Sequence, residues 1–310
     1  MRHNGLRILA SAVVVILLLV IHFATPSRGG LWLQTFYDSL HVPLFGIIAV
    51  CVLVVTPLHW SRRKRLLVVL FAVVTLSALS EVAQIPTARD ASLSDLLADW
   101  FGAAGFVAVA VVFSSSISVP QGRGRYLVIL GMALMIWPLL PLAKVSAAYL
   151  ERNQLLPALV SFDSTFGNMF FRAQNAQIRK IRRLNRISFS AEVFLQDGPW
   201  PGIIFHDLWP NWEHFSALVV EIENAGAESL SVNIRVHDRA HRDGEQPYSD
   251  RFNRRVDLAP GTTVIRVTIA DIQSAPAGRQ MNMAKIDGLA VFCTQQESGR
   301  QFVLHDIRLE

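Results

Sequence analysis

Ser80-Glu81-Val82-Ala83-Gln84, followed by Pro86, Arg89, Ser92, Asp95, Asp99 and Gly102, decides the reading of the first half of this chain. Polar groups recur through it, yet it joins two apolar segments, each close to the ~20 residues that cross a hydrocarbon layer. Ionisable groups at a membrane boundary are costly to keep, so they point to a site there. Outward from this stretch the chain changes character near Leu150. Before that point it reads as membrane helices, and after it as soluble strands with a period of two.

Five apolar segments stand out: Ile8–Ala24, Leu40–Trp60, Leu66–Gln84, Leu96–Phe113 and Tyr126–Ala143. The predicted fold is an N-terminal transmembrane bundle of five spans (residues 1–145), a linker (146–157) and an antiparallel β-sandwich of jelly-roll type (158–310). The first segment follows Arg2 and Arg7, as a signal peptide would. Thr25-Pro26-Ser27-Arg28 is a poor cleavage match, so a retained helix is expected. Arg2, Arg7, Arg62-Arg63-Lys64-Arg65, Arg123 and Arg125 fall on one side of the spans. The positive-inside rule makes that side cytoplasmic and leaves the C-terminal domain periplasmic or extracellular.

Composition narrows the function. The 310 residues suffice for two domains, and 52% are apolar. The net charge of +5 comes largely from the basic clusters flanking apolar segments, so nucleic acid is not an expected partner. Cys51 and Cys293 lie in different halves, which argues against a disulfide and against a thiol metal site. No nucleophile elbow, P-loop, dinucleotide fingerprint or zinc-protease helix occurs.

The predicted topology gathers polar residues at the outer leaflet. Asp38 and His41 are three apart, as are Glu81 and Gln84, while Asp95 and Asp99 are four apart, so each pair shares a helix face. Arg89 lies on the outer loop. Two readings stand side by side. These groups cap helices and pair with one another, fixing the bundle. Alternatively they form a polar pocket for a lipid head group or a glycan-lipid phosphate, with Glu81 and His41 as the candidate acid–base pair.

Asp38-Ser39-Leu40-His41, Glu81-x-x-Gln84, Arg89, Asp95 and Gly102 resemble the VanZ-like membrane domain over about residues 30–115. That family often carries Lys where this chain has Ser39, and Asn where it has Asp99. The resemblance implies a membrane fold and a place for the polar cluster more than a reaction.

In the second half, candidate strands are Ala158–Asp163, Ala176–Arg182, Ile187–Gln196, Pro201–His206, Ala217–Glu223, Leu230–Asp238, Arg251–Asp257, Thr263–Ile269, Ile286–Cys293 and Gln301–Leu309, separated by turn residues such as Asp197-Gly198-Pro199. The succession Leu159–Asp163, Trp200-Pro201-Gly202, Trp212, Val236-His237-Asp238, Arg251-Phe252-Asn253 and Phe302–Leu309 resembles galactose-binding-like jelly rolls of carbohydrate-binding modules. The resemblance implies a glycan ligand and a structural calcium at Asp306. Sugars stack on aromatic rings and need planar polar partners. Trp200, Trp209 and Trp212 are therefore candidates, unless they seal the sandwich core, and Asp238, Arg251 and Asn253 are candidates to line a ligand face.

The expected protein is thus an integral inner-membrane protein of a bacterial envelope. Its external sandwich binds a glycan, and its helical bundle anchors it among membrane lipids and contacts a lipid-linked glycan. The alternatives are a membrane enzyme acting on an envelope glycolipid, or a scaffold for another envelope protein.

Overall fold

The computed structural model describes residues 2–23, 29–84, 92–113, 122–182 and 188–310. The chain divides into two compact units, residues 1–144 and 145–310.

The first unit is helical: α1 Arg2–Phe23, α2 Leu31–Ser39, α3 His41–Val55, α4 Arg62–Gln84, α5 Leu93–Phe113, α6 Gly124–Ile136 and the start of α7 Leu140–Gln154. A 3-10 turn at Trp137–Leu139 joins α6 to α7. Pro138 lies within it and lacks the N–H that a continuing helix needs. Among the described residues four stretches are long and apolar enough to cross a membrane: Leu31–Val55, Arg62–Ala83, Leu93–Phe113 and Gly124–Gln154. Among the described residues that is four candidate stretches where five were expected. The apolar run described in α1, Ile8–Leu17, is shorter than a span.

Phe45, Ala49 and Leu53 of α3 pack on Val69 and Val73 of α4 and on Ala103 and Val111 of α5. Small residues set the approach of the helices. A Cβ on Gly102 would lie 2.3 Å from the Val42 carbonyl oxygen, and one on Gly105 would lie 2.7 Å from that of Gly131. Arg65 is buried and caps the end of α3, donating to Thr56 Oγ1 and the Leu53 carbonyl, both at 2.9 Å. The expected linker, residues 146–157, is helical as far as Gln154.

The second unit is a sandwich of two five-stranded antiparallel sheets. One has the order β1-β4-β9-β6-β7 and the other β2-β3-β10-β5-β8. The strands are β1 Phe171–Gln174, β2 Ala176–Arg182, β3 Phe189–Leu195, β4 Gly202–His206, β5 Ala217–Asn224, β6 Leu230–Asp238, β7 Phe252–Leu258, β8 Gly261–Thr268, β9 Ile286–Phe292 and β10 Gln301–Leu309. Alternation decides which side chains face inward. In β6, Leu230, Val232, Ile234 and Val236 are fully buried, with Asn233, Arg235 and His237 on the opposite face. Phe205 and Leu289 add to this face from the same sheet, and β10 of the facing sheet contributes Phe302 and Leu304, closing one continuous core. The expected strand at Ala158–Asp163 is only a single bridge, Ala158 to Arg308.

Candidate functional site: an open sheet face and a buried polar cluster

The outward face of the first sheet carries two polar cross-strand rows. Strand register places Arg172, Ile204, Ala290, Arg235 and Asn253 side by side across all five strands. The next outward row runs through Gln174, Gly202, Phe292 and Asn233. A cleft of about 260 Å³ lies over these rows, closed in by Trp200, Tyr248 and Arg251 from the flanking turns.

Both flanking rings are held in place. Trp200 is 56% exposed, and its ring meets Phe292 edge-on. Its backbone has φ +55°, the left-handed region that bulky side chains rarely adopt. Asn175 Nδ2 donates to the Pro199 carbonyl at 2.7 Å and so fixes the preceding turn. Gly198 in that turn has φ +135°, and a Cβ there would strike the Asn175 side chain. Tyr248 is 70% exposed, with the Arg251 guanidinium 5.2 Å from its ring centre.

A partly buried ion-pair network supports the Tyr248 turn. Arg279 makes two hydrogen bonds to Asp238, at 2.7 and 2.9 Å, and two to Asp250, at 2.5 and 2.9 Å. Asp238 also caps the short helix α8 (Arg239–Asp243) by accepting from the His241 N–H, and it accepts from Asn282 N–H. Burial pushes the Asp238 carboxyl up, but Arg279 and these two N–H groups outweigh it and hold the group below the usual range. Arg279 is correspondingly raised by its bonds to the two carboxylates.

The cleft arginines lack such partners. Among the described residues no protein group satisfies the buried Nε atoms of Arg235 and Arg251, Asn253 Oδ1 or His237 Nδ1. Burial, then the positive charges of Arg251 and Arg172, lowers the Arg235 guanidinium. Burial, then Arg235, His241 and Arg251, pushes the His237 imidazole down to about 3.

The structure thus puts three of the sequence-derived glycan candidates, Trp200, Arg251 and Asn253, on the cleft. Three other residues fall elsewhere. Trp212 is fully buried in the core, with its ring N–H donating to the Trp209 carbonyl at 2.8 Å. Trp209 is partly buried against the same core and donates to the Asn211 carbonyl. The loop carrying both is drawn inward by backbone bonds from Trp212 N–H to Met283 and from Ile286 N–H to Pro210. Asp238 is fully buried and serves the Arg279 network. Asp306 is engaged by an arginine. Its Oδ2 takes Arg308 at 2.7 Å, and no group of three or more His, Cys, Asp or Glu among the described residues can hold a metal. Tyr248, Arg235, Asn233, Gln174 and Phe292 were not singled out from sequence. The signal was present in β6, where Asn233, Arg235 and His237 alternate with buried aliphatic residues. Cys293 is fully buried, and burial pushes its thiol up to about 12, so it is inert.

In the helical unit the polar residues form a tight group. Asp99 on α5 is fully buried. Its Oδ1 lies 2.8 Å from His41 Nδ1 on α3, and its Oδ2 accepts from Ser77 Oγ on α4 at 2.6 Å. Glu81 lies one turn beyond Ser77 and accepts the Ser92 N–H at 2.9 Å, just before α5 begins. Its second oxygen is buried with no hydrogen-bond partner among the described residues. Ser77 was missed from sequence, although the Ser77/Glu81 spacing of four marks it. Asp38 and Asp95 line a separate cavity of about 330 Å³ with Thr35, Ser39, Ser94 and Trp137. Arg89 and the Gln84 side chain lie outside the described residues.

No protein-family model matches the chain, and no curated protein matches it. Several solved structures are similar in part. An exo-β-agarase is 15% identical with a TM-score of 0.39, over 49% of this chain and 24% of the agarase. This chain therefore spans about a quarter of that enzyme. A family 11 carbohydrate-binding module from Clostridium thermocellum, solved with a β-1,3-1,4-mixed-linked tetrasaccharide, is 10% identical with a TM-score of 0.38, over 49% of this chain and 94% of the module. The CBM22-1 xylan-binding domain of Paenibacillus barcinonensis Xyn10C is 14% identical with a TM-score of 0.32, over 48% and 91%. At these values no residue of this chain is equated with one of theirs.

Proposed function

We propose that this chain is a membrane-anchored glycan-binding protein of a bacterial envelope, with the sheet-face cleft as its binding site. One observation carries the reading. Two exposed rings, Trp200 and Tyr248, flank a cleft whose guanidinium and amide atoms are left unsatisfied by the protein. A saccharide offers apolar C–H faces to the rings and hydroxyls to the planar polar groups. A buried polar atom without a partner costs roughly 1–3 kcal/mol, and a ligand that supplies the partner recovers it. Isothermal titration of the full chain in detergent against soluble envelope, plant and algal polysaccharides is the test. Saturable binding lost in Trp200→Ala is expected; no binding to any of them would sink the reading.

Membrane anchoring is supported by side chains that point away from the helical core. Leu70, Phe71, Leu79 and Phe113 are all more than half exposed, the inverse of a water-facing helix. With the Arg62–Arg65 and Arg123–Arg125 loops cytoplasmic, the sandwich lies outside, whether or not α1 crosses. A periplasm-dependent reporter fused after Glu310 should be active, and one fused within Arg62–Arg65 silent. A silent C-terminal fusion would remove the sandwich from the envelope glycans.

A second reading rests on the unpartnered Glu81 oxygen beside the Asp99–His41–Ser77 group. A buried carboxylate with a spare acceptor suits proton transfer, so the VanZ-like half would act on an envelope glycolipid. Glu81→Gln keeps the shape and removes the charge. Full envelope activity in that variant would rule out Glu81 as the base.

A further inference from the structure

We propose that the saccharide bound in the cleft is acidic, with a carboxylate or sulfate group lying against Arg235 and Arg251. This rests on the glycan-binding reading above and names the class of glycan.

The cleft is lined by two arginines and by no aspartate or glutamate. Several other arginines of the sandwich are ion-paired. Arg179 takes Glu192, Arg242 takes Asp287, Arg279 takes Asp238 and Asp250, Arg300 takes Glu297, and Arg308 takes Asp306. Arg235 and Arg251 differ from the exposed unpaired arginines in burying guanidinium atoms. Among the described residues no carboxylate meets either guanidinium, and the Nε of each is buried without an acceptor. Asp287, which approaches His237 at 3.8 Å, is already engaged by Arg242 at 2.6 Å.

Arg172 adds a third positive charge on the same cross-strand row as Arg235. Arg172 is exposed, but Arg235 and Arg251 are partly buried, and partly buried cations that repel one another are costly to hold. A neutral sugar would give them hydrogen-bond acceptors and leave the repulsion in place. A planar carboxylate or a sulfate supplies acceptors and cancels the charge, and guanidinium forks match both geometries. The flanking rings, Trp200 and Tyr248, require a ring-bearing ligand rather than a bare anion, so the charge belongs on a saccharide.

The test is titration of the full chain in a non-ionic detergent with four probes. These are an oligogalacturonate, the same oligomer with its carboxyls reduced to neutral galactose, a sulfated galactan oligomer, and polyglutamate. At least one acidic saccharide should bind tenfold or more tighter than the neutral oligomer, and the advantage should shrink with added salt. Arg235→Gln and Arg251→Gln should each bring its affinity down to the neutral level. If either glutamine variant fails to fold, Arg235→Lys and Arg251→Lys keep the charge and lose the fork, and should fall between the two. Equal affinity for acidic and neutral oligomers would overturn the acidic assignment and leave glycan binding standing. Equal binding of polyglutamate would overturn both. No saccharide binding by a folded chain would fell the glycan reading itself.

Discussion

The Trp200 ring stands edge-on to Phe292, with centroids 5.9 Å apart and ring planes at 89°. Phe292 lies on β9 in the outward row of the sheet, so the contact ties a strained turn to the floor of the cleft. The left-handed backbone costs a residue like Trp roughly 1–2 kcal/mol. A bulky residue kept there against that cost is an outlier from which a role is inferred.

Trp200→Gly should therefore separate binding from stability. Glycine removes the strain and costs a similar amount in chain freedom, so the unfolding midpoint should stay close to wild type. Affinity for the glycan should fall about tenfold or more, as it does when a central aromatic is lost from an interface. Calorimetry and thermal melting on the same preparation check both halves. Unchanged affinity would remove Trp200 from the site.

Trp212 should behave in the opposite way. It is the largest fully buried side chain of the sandwich. Trp212→Ala should cost roughly 3–5 kcal/mol of stability through the cavity it leaves. Where the variant is still folded, glycan affinity should be retained. A variant as stable as wild type would contradict the core assignment.

Stability should fall as pH is lowered. His237 is held neutral in the folded protein, with its pKa near 3 against about 6.5 unfolded, so between those values the unfolded chain binds the extra proton. Asp238 adds to this with the same sign. Its folded value is depressed, so its contribution is complete above the unfolded carboxylate range and is lost as pH drops through the folded value. One such proton tilts stability by at most about 1.4 kcal/mol per pH unit. The unfolding midpoint should decline from pH 7 to pH 4, and His237→Gln should flatten the upper part of that decline. A midpoint that rises on acidification would show that neither group is placed as described.

Asp99 accepts from two helices at once. Asp99→Ala removes the acceptor for both His41 and Ser77 and should cost roughly 1–3 kcal/mol or more. Asp99→Asn keeps one acceptor oxygen and should lose less. Thermal stability in detergent ranks the two; equal losses would mean that the hydrogen bonds contribute little.

Much of the sandwich was legible in the sequence because a period of two, bounded by turn residues, leaves little choice. Leu230–Asp238 and Gln301–Leu309 are strands with the bounds that alternation gives. β1 was missed because four residues are too few to show a period. The site was harder to read. Arg251 and Asn253 were visible as polar residues beside a turn. Trp209 and Trp212 misled, because whether a loop aromatic faces water depends on where distant backbone groups pull it. Here those are Met283 and Ile286, about seventy residues away. Arg235 looks like an ordinary surface residue until register sets it beside Ala290 and Asn253. In the helices the expected pairs are split: Asp38 lies on α2 and His41 on α3, and Asp95 and Asp99 of α5 serve different places. That His41 and Ser77 converge on Asp99, while Asp38 and Asp95 open into another cavity, is decided by helix packing that one sequence does not display.

The cross-strand row Arg172–Ile204–Ala290–Arg235–Asn253 is also a ruler. Four steps between neighbouring strands of about 4.8 Å each give a track of roughly 19 Å. A chain lying along the row meets new protein only until it reaches the far edge strand. Affinity should rise with each added sugar while the oligomer is shorter than the track and then level off. The length at the plateau would measure, in sugar units, the width of one five-stranded sheet.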